Sequence, residues 1–417
     1  MTAPGLRVFV NERPVDVARG AAVRDAVAAF DRSLADLLAT DSAYVTDARG
    51  LRVDAGDPVA EAGAVFRVIV SARSGPKRLS KDELRHWPKA ELHVHLDGCL
   101  RPQTMLELAR SQSVRLPADT PDALAAALSV KGSQSLEDYL SKYQYTLAVM
   151  QTADALERVA YELVCDVAAE NVRYVEIRYS PLLHRPALSL AQAIEAPLRG
   201  VKRAAAETGT QVGLIVCAIR TMPPSDSLEL ARAAADYRGA GVVAFDLAGA
   251  ERGHPAREHH AAFAHASKHG LACTCHAGEG DGPGQIDEAI HVCGATRIGH
   301  GTRLGENAAL LAEVVERGVP LEMCITSNVH THAVANVAAH PLKGYLDQGV
   351  RVTLNTDGRL MDGISLTDEY HLAHTALGLS AEDLTRVMLN AAEGAFLQES
   401  ERVALVARLQ SEIEELR

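Results

Sequence analysis

Glu91-Leu92-His93-Val94-His95-Leu96-Asp97-Gly98 reads as a short apolar strand with its polar groups gathered at the C-terminal end. Alternate residues of a strand face the same side, so His93 and His95 project together. Outward along the chain, seven further β-branched or apolar runs follow, at 172–180, 212–219, 242–248, 271–277, 297–301, 320–326 and 351–356. The segments between them carry helical periodicity, as at 155–169 and 310–315, and a long helical insertion, 103–152, follows the first strand. Eight βα units in about 320 residues predict an α/β fold, a (β/α)8 TIM barrel with insertions. The competing doubly wound open sheet lacks a Gly-x-Gly-x-x-Gly at the start of its first helix.

The active site of such a barrel lies at the C-terminal ends of the strands. The fifth strand ends in His276-Ala277-Gly278-Glu279, the sixth in Gly299-His300-Gly301 and the eighth in Asn355-Thr356-Asp357-Gly358. One histidine on a strand is ordinarily a satisfied core residue. Polar groups ending four strands at one face point to a site. Three imidazoles and a carboxylate suit a borderline divalent ion such as zinc, and His93, His95, His276 and Asp357 form the expected ligand set. Such an ion keeps a position open for water and lowers its pKa toward ~7. Glu279, three residues past His276, is free to act as an acid or base. His300, between two glycines, is expected to orient the attacking water and stabilise its charge.

Lys89-Ala90-Glu91-Leu92-His93-Val94-His95-Leu96-Asp97-Gly98 resembles the opening motif of the adenosine deaminase family, within the amidohydrolase superfamily. The later motifs of that family are matched in order by Asp246-Leu247-Ala248-Gly249, His276-Ala277-Gly278-Glu279, Ile298-Gly299-His300-Gly301, Cys324-Ile325-Thr326-Ser327-Asn328-Val329 and Leu354-Asn355-Thr356-Asp357, and 170–178 is also typical. The resemblance covers roughly residues 85–400. It implies a mononuclear zinc hydrolase in which hydroxide attacks C6 of a purine and the amino group leaves as ammonia. It also implies that Glu279 protonates ring nitrogen N1, that His300 steers the hydroxide, and that Asp357 both ligates zinc and accepts a hydrogen bond from the nucleophile. Gly249 would approach the purine through its backbone, and Asp97 would face the ribose hydroxyls. Binuclear relatives carry a lysine at the end of the fourth strand, and 242–249 has none.

One position departs from the pattern. The family commonly has a second Asp after the metal-binding Asp, hydrogen-bonded to purine N7, and here that position is Gly358. Adenosine and 2′-deoxyadenosine, giving inosine and 2′-deoxyinosine, are the first candidate substrates. A modified adenosine, N6- or 5′-substituted as in secondary metabolism, is the alternative, as is another mononuclear amidohydrolase. His330 and His332 read as substrate-loop lining rather than a second metal site, and His254, His259 and His260 as a solvated face.

Residues 1–74 read as a separate unit: two short strands, one helix over Val23 to Leu34, then strands near 43–45, 51–53 and 65–70. The pattern resembles the β-grasp of ubiquitin-like and sulfur-carrier proteins, and an accessory or oligomerisation role is expected. Residues 75–85 read as a solvated linker and 86–417 as the barrel. The 42 Lys+Arg against 54 Asp+Glu give a net charge of −12, which speaks against binding nucleic acid or an anionic membrane. No apolar run approaches the ~20 residues of a membrane span, and no secretory signal is visible. Seven cysteines, mostly within apolar runs, suit a reducing, cytoplasmic setting. The expected partner is a small purine nucleoside, with a homo-oligomer left open.

Overall fold

The computed structural model describes residues 5–39, 43–70 and 79–416. The chain divides into two compact units, 1–78 and 79–417. In the first, β1 (Leu6–Val10), β2 (Arg13–Val17), β3 (Ala43–Thr46), β4 (Arg52–Val53) and β5 (Val65–Val70) form one sheet in the order β2-β1-β5-β3-β4. β1 pairs antiparallel with β2 and parallel with β5, which is the β-grasp arrangement. The strands alternate, and their inward residues, Val8, Val10, Val45 and Phe66, meet Val23 and Val27 of the first helix in a separate core. The single expected helix is two, Val23–Phe30 and Arg32–Ala39. Asp31 breaks it by taking an extended conformation, its carboxylate accepting from the Ser33 backbone and hydroxyl.

Eight parallel strands build the second unit: β6 (Lys89–His95), β7 (Val172–Tyr179), β8 (Gln211–Ile219), β9 (Val242–Ala248), β10 (Ala272–Ala277), β11 (Arg297–His300), β12 (Leu321–Met323) and β13 (Val352–Leu354). Each pairs with its neighbour in sequence, and helices cover the outside. Their interiors are near-continuous apolar runs, as strands buried on both faces require. The barrel closes between β13 and β6 through Asp357: the His95 N–H donates to its carbonyl at 2.7 Å, and its N–H donates to the His93 carbonyl at 3.0 Å. The insertion after β6 consists of helices Pro102–Gln112, Pro121–Leu128, Leu136–Ser141 and Tyr143–Val149.

The expected linker is shorter than its 75–85 range. Residues 75–78 lie outside the described residues, but Leu79 is buried and donates its N–H to His374 Nε2 at 3.0 Å. Ser80 and Glu83 then form a capping box that starts helix Lys81–His86. Lys-rich composition suggested solvent; the capping pair and the buried Leu79 decide otherwise. Since each unit has its own core, a chain starting near Lys77 should express as soluble protein, melt cooperatively and bind metal. Insolubility of that chain in a size-exclusion and melting assay would show that the barrel needs residues 1–76.

Candidate active site

His93 and His95 sit on one side of β6, His276 near the end of β10 and Asp357 just beyond β13. Asp357 adopts φ +60°, a left-handed turn uncommon outside glycine and asparagine. His95 Nε2 lies 3.1 Å from His276 Nε2 and 3.4 Å from Asp357 Oδ1, and His93 Nε2 lies 3.5 Å from the same oxygen. Two atoms each 2.0–2.1 Å from one ion at a tetrahedral angle stand about 3.3–3.4 Å apart, close to the separations found here. His93 Nε2 is buried without a hydrogen-bond partner, as a lone pair reserved for a cation would be. The four expected ligands therefore fit a divalent metal. Among the described residues, every group of three or more metal-binding side chains within 4.8 Å of one another draws on His93, His276 and Asp357 together with Glu279, His300 and Cys324, and His95 joins them through its contacts to His276 and Asp357.

Carboxylates behind the imidazoles set their tautomers. His93 Nδ1 meets Glu322 Oε2 at 2.9 Å, and His276 Nδ1 meets Asp246 at 3.1 Å. Each Nδ1–H donates outward, which leaves Nε2 with its lone pair facing the centre. Burial holds His95, His276 and His300 below the usual imidazole range, so they are neutral. Arg178 ties the two carboxylates together, donating to Asp246 Oδ2 at 2.9 Å and to Glu322 Oε2 at 2.7 Å. Arg297 and Thr274 donate to the other Glu322 oxygen. All of these groups are buried, and removing one partner of such a web costs about 3–5 kcal/mol. Sequence reading gave Glu322 no role, and took Arg178 and Asp246 only as parts of motifs. Their available signal was charge inside otherwise apolar strands.

Glu279 and His300, from the ends of the neighbouring strands β10 and β11, lie side by side, with His300 Nε2 3.5 Å from Glu279 Oε2. Asn328 Nδ2 donates to His300 Nδ1 at 2.9 Å, so the His300 proton sits on Nε2 and points inward. His300 itself takes φ +62°. Gly299 serves space rather than flexibility, since a Cβ there would come within 3.1 Å of the His276 backbone and 3.2 Å of the His93 ring. Burial pushes the Glu279 carboxyl well above its usual range, and its Oε1 is buried without a partner. Ser327 donates to Asp357 Oδ2 at 2.6 Å. Asp97, also buried, has one unpartnered oxygen and is pushed up to about 7 by burial.

These residues line a cavity of about 330 Å³, within the range of small-molecule sites. His95, Asp97, Gly249, His276, Glu279, His300 and Asp357 are in its wall, beside Leu136, Leu140, Leu183 and Ile219. Gly249 needs its φ of +99°. Gly358, expected to face substrate, is not in the wall. It stands behind Tyr139 and Tyr143, which the insertion brings over the mouth, and its φ of −126° makes no demand for glycine. His330 Nδ1 is bonded to Asp362 at 2.6 Å and His332 Nε2 to the Ser133 carbonyl at 2.6 Å, so neither forms a second metal centre. His259 is buried rather than solvated, bonded to Ser227 and the Arg220 carbonyl, because its short helix packs on the barrel wall. The cysteines are unpaired and six of them buried.

Glu251 is a further residue that sequence reading passed over. Its two oxygens accept the backbone N–H groups of Gly278, Glu279, Gly280 and Asp281 at 2.6–3.1 Å, clamping the loop that carries Glu279. Glu251→Gln puts an NH2 against those donors. We expect kcat to fall about 10–100-fold with metal content unchanged, as a misplaced catalytic group would cause. Steady-state kinetics with metal analysis checks this, and an unaltered kcat would leave the clamp without a role in turnover.

The profile of the family described as Adenosine deaminase matches residues 88–412. An adenosine deaminase of Mycobacterium avium is 40% identical over 351 residues, 79% of this chain and 95% of that protein. A probable adenosine deaminase of Dictyostelium discoideum is 40% identical over 75% of this chain, and the match spans 41% of that longer protein. Among solved structures, an amidohydrolase from Burkhoderia ambifaria with bound Zn is 25% identical with a TM-score of 0.75, covering 83% of this chain and 96% of that one. The Arabidopsis N6-mAMP deaminase is 26% identical with a TM-score of 0.70, covering 79% and 99%. A profile that spans the barrel, and a relative at 40% identity that accounts for nearly its whole length, show that this chain belongs to the adenosine deaminase family and is an aminohydrolase.

Proposed function

We propose that the enzyme is a zinc-dependent hydrolytic deaminase of a 6-aminopurine nucleoside, with adenosine and 2′-deoxyadenosine as first substrates and inosine or 2′-deoxyinosine plus ammonia as products. The observation that carries this reading is the buried, unpartnered Glu279 Oε1 beside the neutral imidazole of His300. A carboxylic acid kept protonated there can donate to ring nitrogen N1 and make C6 electrophilic. His93, His95, His276 and Asp357 would hold the metal. When bound, it supplies a Lewis acid and a water acidic enough to attack at neutral pH. His300, with its proton on Nε2, orients the incoming oxygen by donating to it. Ser327 fixes the Asp357 carboxylate, which accepts a hydrogen bond from the nucleophile. Asp97 takes the sugar hydroxyls, the Gly249 backbone approaches the base, and the apolar wall excludes bulk water.

Unpaired buried cysteines support a reducing compartment, the cytoplasm, and no helix among the described residues is long and apolar enough to cross a membrane. Residues 1–74 serve as an accessory β-grasp unit to the barrel that begins at Leu79. A second reading, deamination of an N6- or 5′-substituted purine, starts from the departure at position 358 and has the likeness to the Arabidopsis N6-mAMP deaminase in its support. Release of the 6-amino group, as ammonia from adenosine, 2′-deoxyadenosine and 5′-substituted analogues and as the substituted amine from N6-substituted ones, with and without a chelator, tests both. Release from adenosine that a chelator stops is expected. Release only from a modified purine would replace the first substrate, and release from none would overturn the deaminase reading.

A further inference from the structure

We propose that Tyr143 is a specificity-determining residue of this site, its hydroxyl donating a hydrogen bond to N7 of the purine from the place that a side chain at position 358 would otherwise fill. The inference rests on the purine reading above and deepens it.

Two glycines make the place. A Cβ at Gly98 would lie 2.8 Å from Tyr143 Oη, and a Cβ at Gly358 would lie 2.9 Å from the same oxygen and 3.1 Å from Tyr139 Oη. Neither glycine is there for its backbone: Gly358 has φ −126°, and Gly98 lies in the short 3-10 helix Leu96–Gly98 outside the left-handed region. What both lack is a side chain: a Cβ at Gly98 would also meet the Gly358 Cα at 2.9 Å, and the space the two glycines leave between them is taken by the Tyr143 phenol. Tyr143 reaches it from helix Tyr143–Val149, its ring packed in the apolar core and its residue lining the cavity beside Asp97 and Asp357. Tyr139 props it from the other side, and its own proton is committed to Asp362 Oδ2 at 3.0 Å, an oxygen pair that His330 holds in turn. The two hydroxyls also interact with each other, and with the Tyr139 proton on Asp362 it is the Tyr143 proton that can turn from the Tyr139 oxygen to an acceptor in the cavity.

The direction follows from the barrel. β6 and β10 are four strands apart round an eight-stranded ring, on opposite sides of the mouth. Glu279 follows β10, whereas Gly98 follows β6 and Gly358 follows its neighbour β13. In a purine, C6 is flanked by N1 on one side and by C5, which bears N7, on the other. A base with N1 turned to Glu279 turns N7 to the Gly98–Gly358 side. The lone pair of N7 is repelled by the carboxylates of that corner and satisfied by an O–H. A buried donor of this kind discriminates against a base that lacks the acceptor.

The test is equilibrium binding of inosine and 7-deazainosine to the zinc-loaded full chain by calorimetry, for the wild type and Tyr143→Phe. Both probes lack the leaving amino group, so the readout does not depend on turnover. Phe keeps the ring in the core, and metal analysis with a melting curve confirms that the variant is folded. The wild type should bind inosine about tenfold or more tighter than 7-deazainosine. Tyr143→Phe should weaken inosine by that factor, leave 7-deazainosine within about threefold, and bring the ratio near one. A wild-type ratio near one, equal weakening of both probes in the variant, or no binding of either would overturn the assignment. Ammonia release from adenosine is measured alongside. Its absence with the binding ratio intact would overturn the deaminase reading and leave the Tyr143 contact standing.

Discussion

Glu279→Gln should leave the fold and the bound metal intact and lower kcat by about 10²–10⁴-fold, the usual worth of a positioned general acid. The amide is nearly isosteric with the acid, and Glu251 grips the loop through backbone N–H groups that the substitution does not touch. What is lost is the proton. Burial first, then the Asp357 and Glu251 charges, push the Glu279 carboxyl well above the usual range, so the wild type carries that proton at neutral pH. The sign follows directly: the acid form is present below the raised pKa and disappears as pH rises through it, so kcat should fall on the alkaline side. In Glu279→Gln that limb should vanish along with most of the rate, while KM moves little. Rates across pH for both proteins, with metal analysis, check it. A Gln variant with wild-type kcat would mean that N1 receives its proton from another group, and would refute the mechanism proposed for Glu279.

The candidate metal ligands were legible as a group because their logic is local. His93 and His95 declare themselves by alternation on one strand, and His276 and Asp357 by ending apolar runs that must be strands. Strand positions were equally legible, though Leu321–Met323 and Val352–Leu354 are shorter than their apolar runs, since barrel pairing uses only the central residues. The groups that make the site work were hidden for the opposite reason. Glu322, Arg178, Asp246 and Arg297 come from four different strands, and no spacing along the chain links them; only closure of the barrel brings them together. Glu251 acts on backbone N–H groups, which carry no residue signature. Tyr139 and Tyr143 look like ordinary helix residues until the insertion folds over the mouth and fills the space left at Gly358. That position was legible as a departure from its family, and its compensation was not.

Metal removal should have the other large effect. Purified protein should contain one zinc per chain, and stripping it with a chelator should abolish ammonia release and lower Tm by several degrees, both restored by stoichiometric Zn2+. The loss of rate follows because the chain's own groups place acids, donors and a dry wall, but none of them makes water a nucleophile at neutral pH. The loss of stability follows from mass action: an ion that binds only the folded chain at a thousand times its Kd stabilises by about 4 kcal/mol. Without it, His93 Nε2 stays buried and unpartnered. His276→Ala should therefore fail to retain zinc. Asp246→Asn keeps the imidazole but weakens the group that fixes its tautomer, and should cut affinity about 10–100-fold, as changes behind a ligating histidine do. Elemental analysis, activity and melting curves on the same preparations separate these outcomes. Two metals per chain, or full activity in the stripped protein, would rule out a single ion held by His93, His95, His276 and Asp357.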